Sequence, residues 1–232
     1  MVSITQTYNR LTSNRLRVIL QYLRGNLFQY GWLRALRDGR PIDANGQPLP
    51  WLTYPCIDFL RSLDLRDKSV FEWGCGHSTL FFAERAKRVV SIEAGREWFD
   101  YIKTKVSDNC ELILSTVDED VETEAIEHFA GGFDVILIDN HGNFRPACCR
   151  VALDRLNPGG IIILDNSDQC LRSAEVLRSG DLIQVDFTGF APGAGYAQTT
   201  SIFFSRDYSF RPLDGFQPHR SVAQPNAPWP NA

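Results

Sequence analysis

The chain has 232 residues, 44% of them hydrophobic and 22% charged, with a net charge of −4 at pH 7. Length and composition suit one soluble globular domain with decorations, and the slight acidic balance removes the electrostatic basis for nucleic acid as a main partner. Six cysteines, at 56, 75, 110, 148, 149 and 170, form no Cys-x-x-Cys pair and no zinc-like His/Cys cluster, which predicts reduced thiols in a cytoplasmic protein.

No apolar run approaches the length of a bilayer crossing, and the N-terminus lacks the pattern of a secretory signal. Up to Arg37 there is no Asp or Glu, while Arg10, Arg15, Arg17, Arg24, Arg34 and Arg37 supply positive charge. Leu16, Ile19, Leu20, Leu23 and Leu27 recur at helical spacing, so the segment reads as a basic amphipathic helix. Its apolar stripe is expected to pack on the domain as a lid, or on a second copy as a homodimer contact. Contact with anionic lipid, or a role resembling organelle targeting, is the lesser reading. A turn-rich connector over 38–50, with Gly39, Pro41, Asn45-Gly46 and Pro48, separates residues 1–50 from a main domain at 51–210. That domain opens on a predicted helix over 51–63, in which Trp51 and Tyr54 either cover a ligand or fill the core.

Next comes Val70-Phe71-Glu72-Trp73-Gly74-Cys75-Gly76-His77-Ser78-Thr79, an apolar strand running into two glycines and a helical pattern. Ser78 is the expected N-cap. A second strand over 88–93 ends on Glu93. Strand, glycine turn, helix and acid-tipped strand are how a parallel sheet holds a nucleoside-containing cofactor. The glycines admit close backbone approach, and Glu93 can accept hydrogen bonds from both ribose hydroxyls. A dinucleotide fingerprint wants a small residue where Thr79 stands, and the carboxylate of Glu72 would repel a diphosphate. A sulfonium with an ammonium group tolerates that acid. The spacing therefore favours S-adenosylmethionine over NAD, with Glu72, Gly74, Cys75, Gly76 and Glu93 around it.

Further strands are predicted over 111–115, 133–139 and 160–165, alternating with helices over 79–86, 98–106, 121–129 and 145–156. Continuous apolar runs such as Val135-Ile136-Leu137-Ile138 mark strands covered on both faces. A helix near 170–178 leads to strands over 182–187 and 200–205, too closely joined for a crossover helix and hence antiparallel. The fold class is α/β, a doubly wound Rossmann-like sheet with N-terminal helices. Polar residues gather at the predicted strand ends, at Glu72, Glu93, Asp118, Asp139 to His141, and Asp165 to Asp168. Ligands bind beyond such ends.

Asp139, Asp165 and Asn166 form a hard-oxygen set suited to Mg2+, which could lower the pKa of a substrate hydroxyl; the alternative is a turn at Asp165-Asn166. His141 is the candidate general base, beside Asp139, and Arg145 can pair with an anionic substrate group or a strand-tip acid. The glycine-rich stretch Gly189 to Tyr196 lacks the lysine of a P-loop and reads as a substrate-side wall. Residues 211–232, with five prolines, read as an irregular tail.

Phe71-Glu72-Trp73-Gly74-Cys75-Gly76, Glu93, Phe133 to Asp139 and Leu156-Asn157-Pro158-Gly159-Gly160 together resemble class I S-adenosylmethionine-dependent methyltransferases. The resemblance spans about 49–206 and implies a mostly parallel seven-stranded sheet, its last strand antiparallel between the fifth and sixth. It implies that Gly74 and Gly76 approach the cofactor, Glu93 holds the ribose and Asp118 or its neighbours border the adenine. Pro50 to Pro55 with Thr199 to Phe203 is similar to a bacterial subgroup of largely unassigned substrate. Asp139, Asp165 and Asn166 stand where metal-dependent catechol-type O-methyltransferases place their cation ligands. The chain departs from them at Gly142, where those enzymes carry a catalytic lysine. The expected activity is methyl transfer to a small molecule, with an oxygen acceptor ahead of nitrogen. A cofactor-binding scaffold without turnover is the non-enzymatic alternative, and a nicotinamide oxidoreductase is disfavoured.

Overall fold

A computed structural model of the chain describes residues 14–116, 118–215 and 217–224. Seven strands form one sheet: β1 Ser69–Trp73, β2 Arg88–Glu93, β3 Cys110–Leu114, β4 Phe133–Ile138, β5 Leu156–Leu164, β6 Leu182–Phe190 and β7 Ala197–Ser205. Their order is β3-β2-β1-β4-β5-β7-β6, with β1 to β5 parallel and β7 antiparallel to both β5 and β6. This is the seven-stranded arrangement expected from the sequence.

Alternation along the strands builds two cores. Val135 and Leu137 of β4 face one cluster with Val70, Ile161 and Ile163, covered by helices α3 (Tyr54–Arg61) and α4 (His77–Ala83). Ile136 and Ile138 face the other with Phe71, Trp73, Ile162 and Leu164. The second face carries α6 (Glu119–Glu124), a 3-10 turn (Ala125–His128), α7 (Arg145–Arg155) and α8 (Leu171–Arg178). Cys148 and Cys149 are fully buried packing residues of α7. Each buried Ile, Leu or Phe contributes roughly 1.5–3 kcal/mol, so strands covered on both faces are the stable element of the molecule. Helix α5 (Arg96–Lys103) lies between β2 and β3 in sequence and buries Phe99 and Ile102.

The N-terminal region divides into α1 (Asn14–Leu23), a π-helical segment (Arg24–Gln29) and α2 (Trp32–Asp38). The predicted packing of the amphipathic helix on the domain is not what α1 does: none of its residues is buried. Docking begins only at Gly25 and continues through Tyr30, Trp32 and Ala35. Arg10 of the predicted helix lies outside the described residues, as do Pro225, Pro228 and Pro230 of the predicted tail.

Other boundaries also move. The helix predicted from Trp51 begins at Tyr54, because Thr53 is extended (φ −66°, ψ 144°) and Pro55 is accommodated in the first turn. Helix α6 starts earlier than predicted, capped by the Asp118 carboxylate, which accepts from the N–H groups of Asp120 and Val121. The β6–β7 ladder runs on to Phe190↔Ala197, leaving a much shorter glycine-rich turn. Among the described residues no helix is long and apolar enough to cross a membrane.

Candidate active site

The sheet order reverses between β1 and β4, and a cleft of about 260 Å³ opens there, beyond the carboxyl ends of β1, β2 and β4. Its floor is the turn Gly74-Cys75-Gly76, with Asp139 at the tip of β4. Gly74 has φ +96°, and a Cβ there would lie 2.6 Å from the carbonyl oxygen of Asp139, so only glycine fits. Gly76 is extended (φ 178°), and an added Cβ would meet nothing closer than the Trp98 indole nitrogen at 3.5 Å. Backbone strain therefore does not explain glycine at 76; it leaves open the space above the turn.

Beneath the turn, Glu72 is completely buried and outside the cleft lining. Its Oε2 accepts from the hydroxyls of Thr79 (2.6 Å) and Ser91, and Thr79 Oγ1 in turn accepts the N–H of Gly76 (2.9 Å). The helix thus starts at His77, with Thr79 reaching back to the Gly76 N–H, in place of the predicted Ser78 cap. Burial pushes the Glu72 carboxyl up to about 7 against the pull of the Ser91, Thr79 and Ser78 hydroxyls. Glu72, read from sequence as a cofactor contact, is a brace under the glycine turn.

Glu93 lines the cleft at the tip of β2. Its two oxygens accept the N–H groups of Cys75 (3.1 Å) and Gly95 (2.6 Å), which fixes the carboxylate and leaves lone pairs toward the opening. Trp98 forms a wall, donating its indole N–H to the Cys75 carbonyl and stacking on Tyr101 at 5.2 Å. Trp51 and Pro41 close the other side. His77 also lines the cleft; burial, with Arg40 and Lys105 adding repulsion, lowers its imidazole to about 4, so it is neutral at pH 7. His77 and Trp98 escaped the sequence reading, although His77 directly follows Gly76.

Asp139 and Asp165 are brought together, both raised in pKa: Asp139 mainly by burial, Asp165 by burial and then by the Asp139 charge. Arg145, nearly buried at the start of α7, stands between them. Its guanidinium donates to Asp139 Oδ1 (2.9 Å), to the Asn140 carbonyl (2.8 Å) and to the Asp165 carbonyl (2.6 Å). Asp165 Oδ1 accepts instead from the Thr200 hydroxyl (2.6 Å), and Thr200 Oγ1 accepts the Thr53 N–H (3.2 Å). Asn166 is left-handed (φ 49°), and its carbonyl accepts from Gln169 and Cys170 in a turn. Of the expected cation set, Asp139 already receives the positive charge of a guanidinium, one oxygen of Asp165 is held by Thr200, and the backbone of Asn166 forms the alternative turn. Among the described residues no group of three or more His, Cys, Asp or Glu could hold a metal.

His141 is exposed on the loop after β4 with its ring 5.4 Å from Phe144, outside the cleft lining. Asp118 is occupied as the cap of α6. A second cavity of about 220 Å³ lies between the N-terminal segments and the β6–β7 turn, walled by Tyr22, Leu27, Trp32, Tyr54 and Phe190. Trp32 holds that turn through a 2.8 Å bond to the Ala194 carbonyl. Residues 51–54 part the two spaces, Trp51 facing the cleft and Tyr54 the aromatic cavity.

Residues 71–167, which contain the whole glycine turn and the β2, β4 and β5 tips, match the family model of a methyltransferase domain. No curated protein matches the chain by sequence. Among solved structures, an O-methyltransferase from Bacillus cereus in complex with SAH superposes with a TM-score of 0.54 at 17% identity, covering 81% of this chain and 97% of that one. The O-methyltransferase TomG of Streptomyces achromogenes, involved in tomaymycin synthesis and in complex with SAM, gives 0.54 at 15%, covering 84% and 99%. A precorrin-6y C5,15-methyltransferase of Geobacter metallireducens gives 0.52 at 14%, covering 65% and 87%. The fold is that of Rossmann-like methyltransferases. The stretch that matches the methyltransferase-domain model, 71–167, is the one that supplies the glycine turn, Glu93 and Asp139.

Proposed function

We propose that the cleft between the β1, β2 and β4 tips binds S-adenosylmethionine and that the chain moves its methyl group to a hydroxyl oxygen of a small molecule, without a metal ion. The observation that carries the reading is the convergence of the Gly74–Gly76 turn, Glu93 and Asp139 on one cleft at the sheet's switch point. The donor set suits the cofactor: Glu93 and Asp139 offer carboxylates to ribose hydroxyls and an ammonium group, and Trp98 and Trp51 offer aromatic faces to a sulfonium. A diphosphate would meet those acids unfavourably. When bound, the cofactor supplies an electrophilic methyl on a cationic sulfur.

The chain's own residues then align and exclude. The Cys75 and Gly95 N–H groups fix the Glu93 carboxylate, and Arg145 fixes Asp139 at the cleft floor, so orientation is set before binding. We assign the acceptor to the same cleft, beside Asp139, where it can meet the methyl group directly. Asp139 lines the cleft with its carboxyl raised toward neutrality, which makes it the base that takes the hydroxyl proton. His141, the general base expected from the sequence, is exposed outside the cleft lining, so Asp139 is the better placed of the two; Asp118 borders the adenine only by its position after β3. O-methyltransferase structures among the fold relatives favour oxygen as acceptor, with nitrogen the second reading.

Calorimetric titration with S-adenosylhomocysteine, with and without magnesium and with NAD as control, tests this. Saturable binding that magnesium leaves unchanged supports it. Tight NAD binding, or no binding by folded protein, overturns the cofactor assignment; magnesium-dependent affinity overturns the metal-free one.

A further inference from the structure

We infer that α1 is a membrane-surface helix that docks this enzyme on an anionic phospholipid bilayer. The inference is independent of the acceptor reading. Six of its ten residues are exposed apolar side chains: Leu16 (44%), Val18 (62%), Ile19 (53%), Leu20 (39%), Tyr22 (60%) and Leu23 (39%). At 100° per residue, Ile19, Leu20 and Leu23 share one face, with Arg15 on one flank and Arg24 on the other. The segment as far as Arg37 has six arginines and no acid, whereas the rest of the chain has 18 basic against 28 acidic residues. An apolar stripe between cationic flanks is complementary to acyl chains beneath anionic headgroups, and Tyr22 is a residue type favoured at that boundary.

The charge distribution also selects among occupants. Pairing the same face of two copies would bring together two segments rich in arginine and without an acid, an unfavourable juxtaposition. An anionic bilayer attracts the helix while repelling the acidic body, so the molecule would stand on α1 with its sheet held away from the lipid. Tyr22 on α1 and Leu27 just after it wall the aromatic cavity, so docking brings that cavity to the bilayer surface.

The test is sedimentation of the full chain with vesicles of phosphatidylcholine alone and of phosphatidylcholine mixed with phosphatidylglycerol. Binding to the anionic vesicles alone, reversed by high salt, is the expected result. Arg15→Gln/Arg24→Gln should lower the partition coefficient on the order of 30-fold, from about a factor of five per arginine. Ile19→Asp/Leu23→Asp should abolish binding at any salt, with circular dichroism confirming the fold; should that variant not fold, the arginine pair still decides. Equal binding to neutral vesicles, or no binding to either, overturns the inference. So does a dimer in analytical ultracentrifugation that the aspartate variant dissociates, which would give the face to a second copy.

Discussion

Glycine stands at 74 and at 76 for different reasons, and the two positions separate folding from binding. Gly74→Ala forces a Cβ toward the Asp139 carbonyl at a positive φ and should cost about 2 to 4 kcal/mol in urea denaturation. Gly76→Ala meets no backbone and should leave stability within about 1 kcal/mol, while weakening S-adenosylhomocysteine on the order of 10- to 100-fold by filling ligand space. Glu72 gives a pH signature. Its carboxyl is raised from 4.5 to about 7 in the folded protein, so the unfolded chain loses this proton first. The neutral group's contribution is complete below about pH 4.5 and is lost as pH rises to about 7, some 3 kcal/mol in all. Glu72→Gln should flatten the fall in stability between pH 5 and pH 8 in chemical denaturation; an unchanged slope would place the proton elsewhere.

Among the elements, what is local was legible in the sequence. The β1–turn–α4 unit and the acid-tipped β2 follow from period and punctuation within a few dozen residues, and the continuous apolar runs of β4 and β5 announce a sheet with two covered faces. The destination of Arg145 was not legible as a single answer, because it depends on α7 bringing its first residue against the tips of both β4 and β5. Nor does residue spacing show that residue 53 meets residue 200, or that this link takes up one oxygen of Asp165. The length of the β6–β7 ladder was missed because glycines that break an isolated strand are tolerated in a paired hairpin, where Gly189 lies against Pro55. Thr200→Val tests the link: it strips Asp165 of its hydroxyl donor and the Thr53 N–H of its acceptor. A loss of about 2 to 4 kcal/mol is expected in thermal or urea unfolding; a neutral effect would mean the buried aspartate has another partner.

Across the whole molecule, the ends of the described chain are tied through one phenol. The Tyr30 hydroxyl lies 2.6 Å from Asp58 and 2.6 Å from Ser221, joining the N-terminal segment, α3 and residues 217–224. Tyr30→Phe should cost about 1 kcal/mol and raise hydrogen exchange in 217–224 without altering S-adenosylhomocysteine affinity; protection that persists would show that other contacts hold the segment. The place of β7 also carries a consequence for how the protein is made. Every residue lining the cleft precedes residue 140, yet β7, which covers the second edge of β5, is the last of the described strands in the chain. Until it arrives, Ile161 to Leu164 present an unpaired apolar edge of the kind that recruits other chains. A polypeptide ending before Ala197 would own nearly all the parts of its catalytic centre and still aggregate, a result that light scattering during cell-free synthesis would register. The final hairpin is thus expected to close the fold of the sheet as well as to complete its edge.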